Sequence, residues 1–256
     1  MLAPNEVLPH SFDNPDSLFS QVADHLALLI VSGDVAAGEL IPNEASIGGT
    51  LSVSRSVYRE AIKFLAAKGL IESRPRTGTR AAPASQWSLL DPDVLRWSFT
   101  VGASDKFIRD LYELRRFIEP AAARLAAERR TPGQARGLRA AFEMMAATKP
   151  YSTENIRADV QFHDILLDAS GNEALRCMRP VVMTTLMWSL QLHAGRSQES
   201  YQPALMDHRR VCEAIEAQDG ARAEAIMHVL VHEALDDTVS QARARRMAAR
   251  SRPAAE

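Results

Sequence analysis

Apolar residues recur at helical spacing from Leu18 through Val22 and Leu26 to Ile30, behind an Asn14-Pro15 start signal and ahead of Gly33. The pattern predicts a first helix over about 15–31. Asn43, just after Pro42, is an N-cap for a short second helix through about Thr50. Ser54 caps a third helix that runs to Lys68 and stops at Gly69. Residues 70–73 and 79–82 predict two short strands around the Pro75–Gly78 turn. After a Pro- and Ser-containing stretch at 83–90 no strand pattern returns. Helical patterns cover about 91–101, 104–130, 133–147, 152–169, 172–194, 202–218 and 220–248. Most are separated by breakers such as Thr131-Pro132-Gly133, Lys149-Pro150 and Asp219-Gly220. Pro120 lacks an amide donor and predicts a kink in the second of these helices.

The predicted fold is mainly α. A disordered segment 1–12 precedes a winged helix-turn-helix over 13–82, built of three helices and a hairpin. A linker, 83–90, leads to an all-helical antiparallel bundle over 91–240, since short loops join antiparallel neighbours. A basic tail, 241–256, follows. A hydrophobic content of 46% supports packed cores, and a net charge of -2 excludes a chain basic throughout. The local balance differs. Residues 53–80 hold Arg55, Arg59, Lys63, Lys68, Arg74, Arg76 and Arg80 against Glu60 and Glu72, the footprint of a nucleic-acid reader. On a helical wheel Val57, Ala61, Phe64 and Leu65 share one side of the third helix, and Arg55, Arg59 and Lys63 take the other. Arginine forks match the acceptor pair of a guanine edge, and Ser54 and Ser56 suit phosphates or bases. Arg76, Thr77 and Gly78 at the hairpin tip add a cation and close backbone approach. Cys177 and Cys212 are too few for a disulfide framework. With no secretory pattern and no apolar run of membrane length, a cytoplasmic location is expected.

Residues 33–80 resemble the winged helix-turn-helix of the GntR family of bacterial transcription regulators. The matching pieces are Gly38, Leu40-Ile41-Pro42, Glu44, Val53-Ser54-Arg55, Arg59-Glu60-Ala61, Gly69-Leu70-Ile71 and Gly78-Thr79. The resemblance implies that Ser54, Arg55, Ser56, Arg59 and Gly78 carry DNA contacts. One departure stands out. Many members place a DNA-contacting Arg directly after the Glu of the second helix, where this chain has Ala45.

In the bundle, Asp159 and His163 are four apart and share a helix face, which suits either a divalent metal or a plain hydrogen-bonded pair. Arg115 lies at the edge of the apolar face formed by Leu111, Leu114 and Ile118. A cation placed there needs an anion, either Glu119 at i+4 or a bound organic acid. Trp188 and Gln191 are further candidates to line such a cavity.

Residues 91–240 resemble the all-helical effector domain of the FadR-type subfamily, the FCD domain. The resemblance rests on Leu114-Arg115, Glu119-Pro120, Ala126-Ala127-Glu128, Asp159-x-x-x-His163, Ser170-Gly171-Asn172, His208, Ala214-Ile215 and Asp219. It implies an effector-binding and dimerisation domain. It also implies a zinc- or nickel-like ion held by Asp159, His163 and His208, with Leu230 where a fourth ligand, a histidine, is usual. The segment Gln86–Trp97 is similar to galactonate-type sugar-acid repressors of the family. The expected function is therefore a homodimeric regulator without enzyme activity, binding double-stranded operator DNA and released by a sugar acid. Two alternatives stay open: a metal-dependent hydrolase with an interaction module, and a regulator whose cavity is vestigial.

Overall fold

The computed structural model describes residues 17–47, 53–74 and 78–250. The chain divides into two compact units between Gly102 and Ala103. The first unit opens with α1 (Leu18–Ser32), whose N-cap Ser17 accepts from the Ser20 amide. The start therefore lies just past the expected Pro15, which falls outside the described residues, as does 1–12. Gly33, in the left-handed region at φ 87°, closes the helix. Then come α2 (Glu44–Ile47) and α3 (Arg55–Ala67). The expected end of the second helix at Thr50 lies outside the described residues.

Strands β1 (Ile71–Arg74) and β2 (Gly78–Ala81) pair antiparallel, with Ile71 opposite Ala81 and Arg74 opposite Gly78. Val22, Leu26, Ile30, Ala61, Leu65 and Leu70 form a buried core between α1, α3 and the hairpin. Gly69 sits at φ 77°, and a Cβ there would lie 2.2 Å from the Gln86 carbonyl oxygen, so only glycine fits this turn.

Helix α4 (Pro92–Thr100) was expected to begin the second domain, but it packs on α1 in the first unit. Its ions explain the attachment. Arg96 reaches Asp24 at 2.6 Å, and the Trp97 indole donates to the same carboxylate at 2.7 Å. Lys68 pairs with Asp91 at 2.7 Å and with the fully buried Asp93 at 2.9 Å. Helix propensity and spacing carry no sign of such long-range pairs.

The second unit contains α5 (Asp105–Arg129), α6 (Pro132–Ala147), α7 (Thr153–Ala169), α8 (Glu173–Cys177), α9 (Arg179–Leu192), α10 (Gln198–Glu216) and α11 (Gly220–Arg250). Helix α5 packs along α11 and α7, and α10 packs on α6 and α11. Helix α5 continues through the buried Pro120. Two boundaries depart from expectation. The expected helix 172–194 breaks after Met178, because Pro180 lacks an amide donor and takes the first turn of α9. Helix α10 starts at Gln198 because Ser197 caps it.

The basic tail expected at 241–256 is helical through Arg250 and in part tied down. Arg243 and Arg246 pair with Asp105, and Arg245 donates to the carbonyls of Gln191 and Leu192. Among the described residues, no helix is long and apolar enough to cross a membrane.

Candidate functional site

Among the described residues, each unit has a place that carries chemistry. In the first, Ser54 caps α3 by accepting from the Val57 amide at 3.3 Å, and its hydroxyl hydrogen remains available to a phosphate. Tyr58 donates to the Pro42 carbonyl at 2.8 Å and anchors α3 to the segment before α2. With one side of α3 held in the core, Arg55, Ser56, Arg59 and Lys63 lie exposed. Arg55 is 89% exposed and touches Glu44 at 3.2 Å, a surface pair weak enough for a phosphate or base to displace.

Two members of the expected basic patch do not belong to it. Lys68 is buried against Asp91 and Asp93. Arg80 spends its guanidinium on the Gly38 carbonyl at 2.7 Å, bracing the hairpin. Arg76 and Thr77 lie outside the described residues. Gly78 has φ 84°, a left-handed conformation that strains any residue with a Cβ, so glycine here serves the fold itself.

In the second unit a cavity of about 360 Å³ is walled by α5, α7, α9, α10 and α11. Arg115 lines it from α5, 2% exposed. Its Nε donates to Glu119 Oε1 at 2.5 Å and its Nη2 lies 3.4 Å from Oε2, while Nη1 is buried with no partner. Burial works against both charges. The pair overcomes it, holding the Arg115 guanidinium above its ordinary range and the Glu119 carboxyl down at about 2. Both partners proposed by the sequence therefore keep a place: Glu119 takes one edge of the fork, and the remaining edge can meet an anion.

Asp159, His163 and His208 converge beside Arg115, each buried. The two Nε2 atoms are 3.3 Å apart, and Asp159 Oδ1 lies 3.5 Å and 3.7 Å from them. The outer nitrogens face other groups. His208 Nδ1 donates to the Ala204 carbonyl at 2.7 Å, and His163 Nδ1 lies 2.6 Å from Glu119 Oε2. With Nδ1 as donor, each Nε2 presents a lone pair. Three buried acceptors then face one another, and Asp159 Oδ1 has no donor. Ligands about 2.0–2.1 Å from a tetrahedral ion stand roughly 3.3 Å apart, so the donor set fits a divalent metal. Leu230 lines the same cavity. Among the exposed histidines of α11, His228 touches Arg116 and His232 faces outward.

Trp188 and Gln191, expected at the cavity, do not line it. The inward stripe of α9 is Leu186, Ser189, Leu190 and His193, and residues 188 and 191 fall on other faces of the helix. Sequence reasoning missed the polar wall opposite. Tyr112 donates to Thr238, which itself donates to the Ala234 carbonyl. Tyr201 accepts from Asn155 at 3.1 Å, and burial raises its phenol well above the ordinary range. Tyr151, at φ 59°, stacks on His193 with ring centroids 5.5 Å apart. These residues come from loops and separate helices, so no local spacing brings them together.

Residues 18–80 match the bacterial regulatory proteins of the gntR family, and residues 110–233 match the FCD domain. The galactonate operon transcriptional repressor of Escherichia coli K12 is 32% identical over 196 residues, covering 76% of this chain and 85% of that protein. An Escherichia coli K12 protein assigned by name to regulation of the L-lactate dehydrogenase operon is 30% identical over 223 residues, 84% of each chain. A solved structure of Lar, which controls the expression of the Listeria monocytogenes agr system, shares the fold. Its TM-score is 0.63 at 17% identity, covering 90% of this chain and 98% of that one. The relatives are regulators rather than enzymes. This chain is thus a transcription regulator that belongs to the GntR family, with an FCD domain as its second half.

Proposed function

We propose that this regulator is a homodimeric repressor of a sugar-acid catabolic operon, acting on double-stranded operator DNA in the cytoplasm and released by the acid itself. Ser54, Arg55, Ser56 and Arg59 read the operator from α3, with Gly78 and the hairpin tip, Arg76 and Thr77, on the neighbouring backbone. Two readers on two half-sites supply the affinity that one small module lacks. Asp159, His163 and His208 hold a divalent ion of the zinc or nickel kind. Such an ion offers open positions to an effector carboxylate, beside Arg115.

The observation that carries this reading is the buried, unpartnered Nη1 of Arg115 inside a cavity of about 360 Å³. A buried cation edge of that kind is the complement of a small organic anion. Hydroxyl-bearing walls at Tyr201, Ser189 and Ser200 suit a polyhydroxylated chain. A three-carbon acid such as L-lactate, which the name of one relative brings to mind, would leave much of this volume to water.

The test is a mobility shift on the promoter DNA next to this gene, titrated with D-galactonate, D-gluconate and hexuronates. Release of the wild type is expected, together with an Arg115→Ala variant that binds DNA normally and ignores the acid. Calorimetric silence across the panel would favour a vestigial cavity, and an unchanged response in Arg115→Ala would leave Arg115 a structural residue.

A further inference from the structure

Outside the Arg115 fork and the Asp159, His163 and His208 cluster, the cavity wall holds one more buried polar side chain among the described residues with an unpartnered atom. His193, 6% exposed, closes α9 and lines the wall. Its Nδ1 lies 2.7 Å from the Ser189 carbonyl, which can only accept, so the ring proton sits on Nδ1. Nε2 is then a lone-pair acceptor, buried and without a partner. Burial lowers the affinity of this imidazole for a second proton, which keeps the ring neutral near pH 7. His193 is not part of the Asp159, His163 and His208 cluster.

The charges around His193 are of both signs. Arg196 lines this wall but is neutralised by Asp237 at 2.7 Å. Glu233, one turn from Asp237 on the same face of α11, adds a second carboxylate to the cavity. Arg245, held on the Gln191 and Leu192 carbonyls, is a second cation beside His193, so the charges here balance and the unpartnered Nε2 discriminates: as an acceptor it meets a hydroxyl donor and not a carboxylate, whereas Arg115 welcomes an anion. A ligand that satisfies both buried groups has a carboxylate for Arg115 and a hydroxyl donor for His193.

We infer that His193 is a specificity-determining residue that selects polyhydroxy monocarboxylates, with a hydroxyl at the far end of the chain, over dicarboxylates of equal length. An aldonate ends in a CH2OH group that donates to Nε2. The corresponding aldarate ends in a carboxylate, which sets an acceptor against an acceptor beside Asp237 and Glu233. The inference rests on the cavity being the effector site and names what it admits.

Calorimetry of the full chain with two matched pairs, D-galactonate against galactarate and D-gluconate against D-glucarate, tests it. In at least one pair the aldonate is expected to bind about tenfold or more tightly than its aldarate. His193→Phe should weaken the aldonate and collapse that ratio toward one, and His193→Gln, which restores an acceptor, should recover most of it. Equal affinities within both pairs for the wild type overturn the inference without any variant, and so does a ratio that survives His193→Phe. If the wild type binds none of the four acids, the effector reading itself falls and takes this inference with it.

Discussion

Glu119→Gln is the sharpest perturbation of the second unit, because one carboxylate there serves two partners. Oε1 holds Arg115 at 2.5 Å and Oε2 lies 2.6 Å from His163 Nδ1, all of it buried. Stripping the counterion from a buried guanidinium costs about 3–5 kcal/mol. The protonation equilibrium provides a second measure. Burial opposes the Glu119 charge, but Arg115 and His163 overcome it and set the folded carboxyl at about 2. Relative to an unfolded glutamate near roughly 4.3, that difference is worth about 3 kcal/mol. Because the folded value is the lower one, this stability is fully present above the unfolded value and is lost as pH falls from about 5 toward 2. Urea unfolding of EDTA-treated protein, followed by far-ultraviolet ellipticity at pH 7, 5, 4 and 3, reads both effects. The variant should lose about 3 kcal/mol at pH 7 from the transition of the second unit, and its stability should fall less steeply between pH 5 and 3. A loss under about 1 kcal/mol with an unchanged acid slope would show that Glu119 is not the charged partner assigned to it.

Other perturbations separate the two units. Arg59→Ala should weaken specific operator binding by about 1–3 kcal/mol and relax base preference at one position; fluorescence anisotropy on single-base operator variants checks this, and intact discrimination would remove Arg59 from the base-reading set. Lys68→Met removes one of the two cations at the buried Asp93 and leaves Arg96 at 3.6 Å, so calorimetric melting of the first unit should drop by an amount equivalent to about 1–3 kcal/mol while the second stays put. An unmoved first transition would show that the pair contributes nothing net. Leu230→His adds an imidazole to the cavity wall next to the cluster and should tighten zinc or nickel binding about tenfold or more in competition with a chromogenic chelator. Unchanged affinity would place Leu230 away from the open corner of the ion.

The parts legible in the sequence are those written in local periods and caps. Ser54, Gly69 and the opposed faces of α3 announce the winged unit, and helical spacing gives most of the bundle. The i, i+4 pair Asp159 and His163 signals a shared face, and the structure brings His208 to it from α10. What stayed hidden depends on distance in sequence. Lys68 reads as one more surface cation until Asp93, on a later helix, turns out to bury it. Trp188 is buried, yet the angular position of Leu186, Leu190 and His193 decides which stripe of α9 meets the cavity. Arg115 was correctly placed at an inward edge, but only the geometry divides its fork between Glu119 and a vacant Nη1.

The ion lattice that fastens α4 has a practical consequence for dissecting the molecule. An excised reader cut at residue 82, where the hairpin ends, would strip the counterions from Lys68 and expose the ring edge of Phe64 that meets Trp97 at 6.4 Å. Such a fragment would carry an intact α3 and still fold poorly, and its weak grip on DNA would be misread as a need for the second half. The autonomous piece for titration against oligonucleotides extends through Gly102.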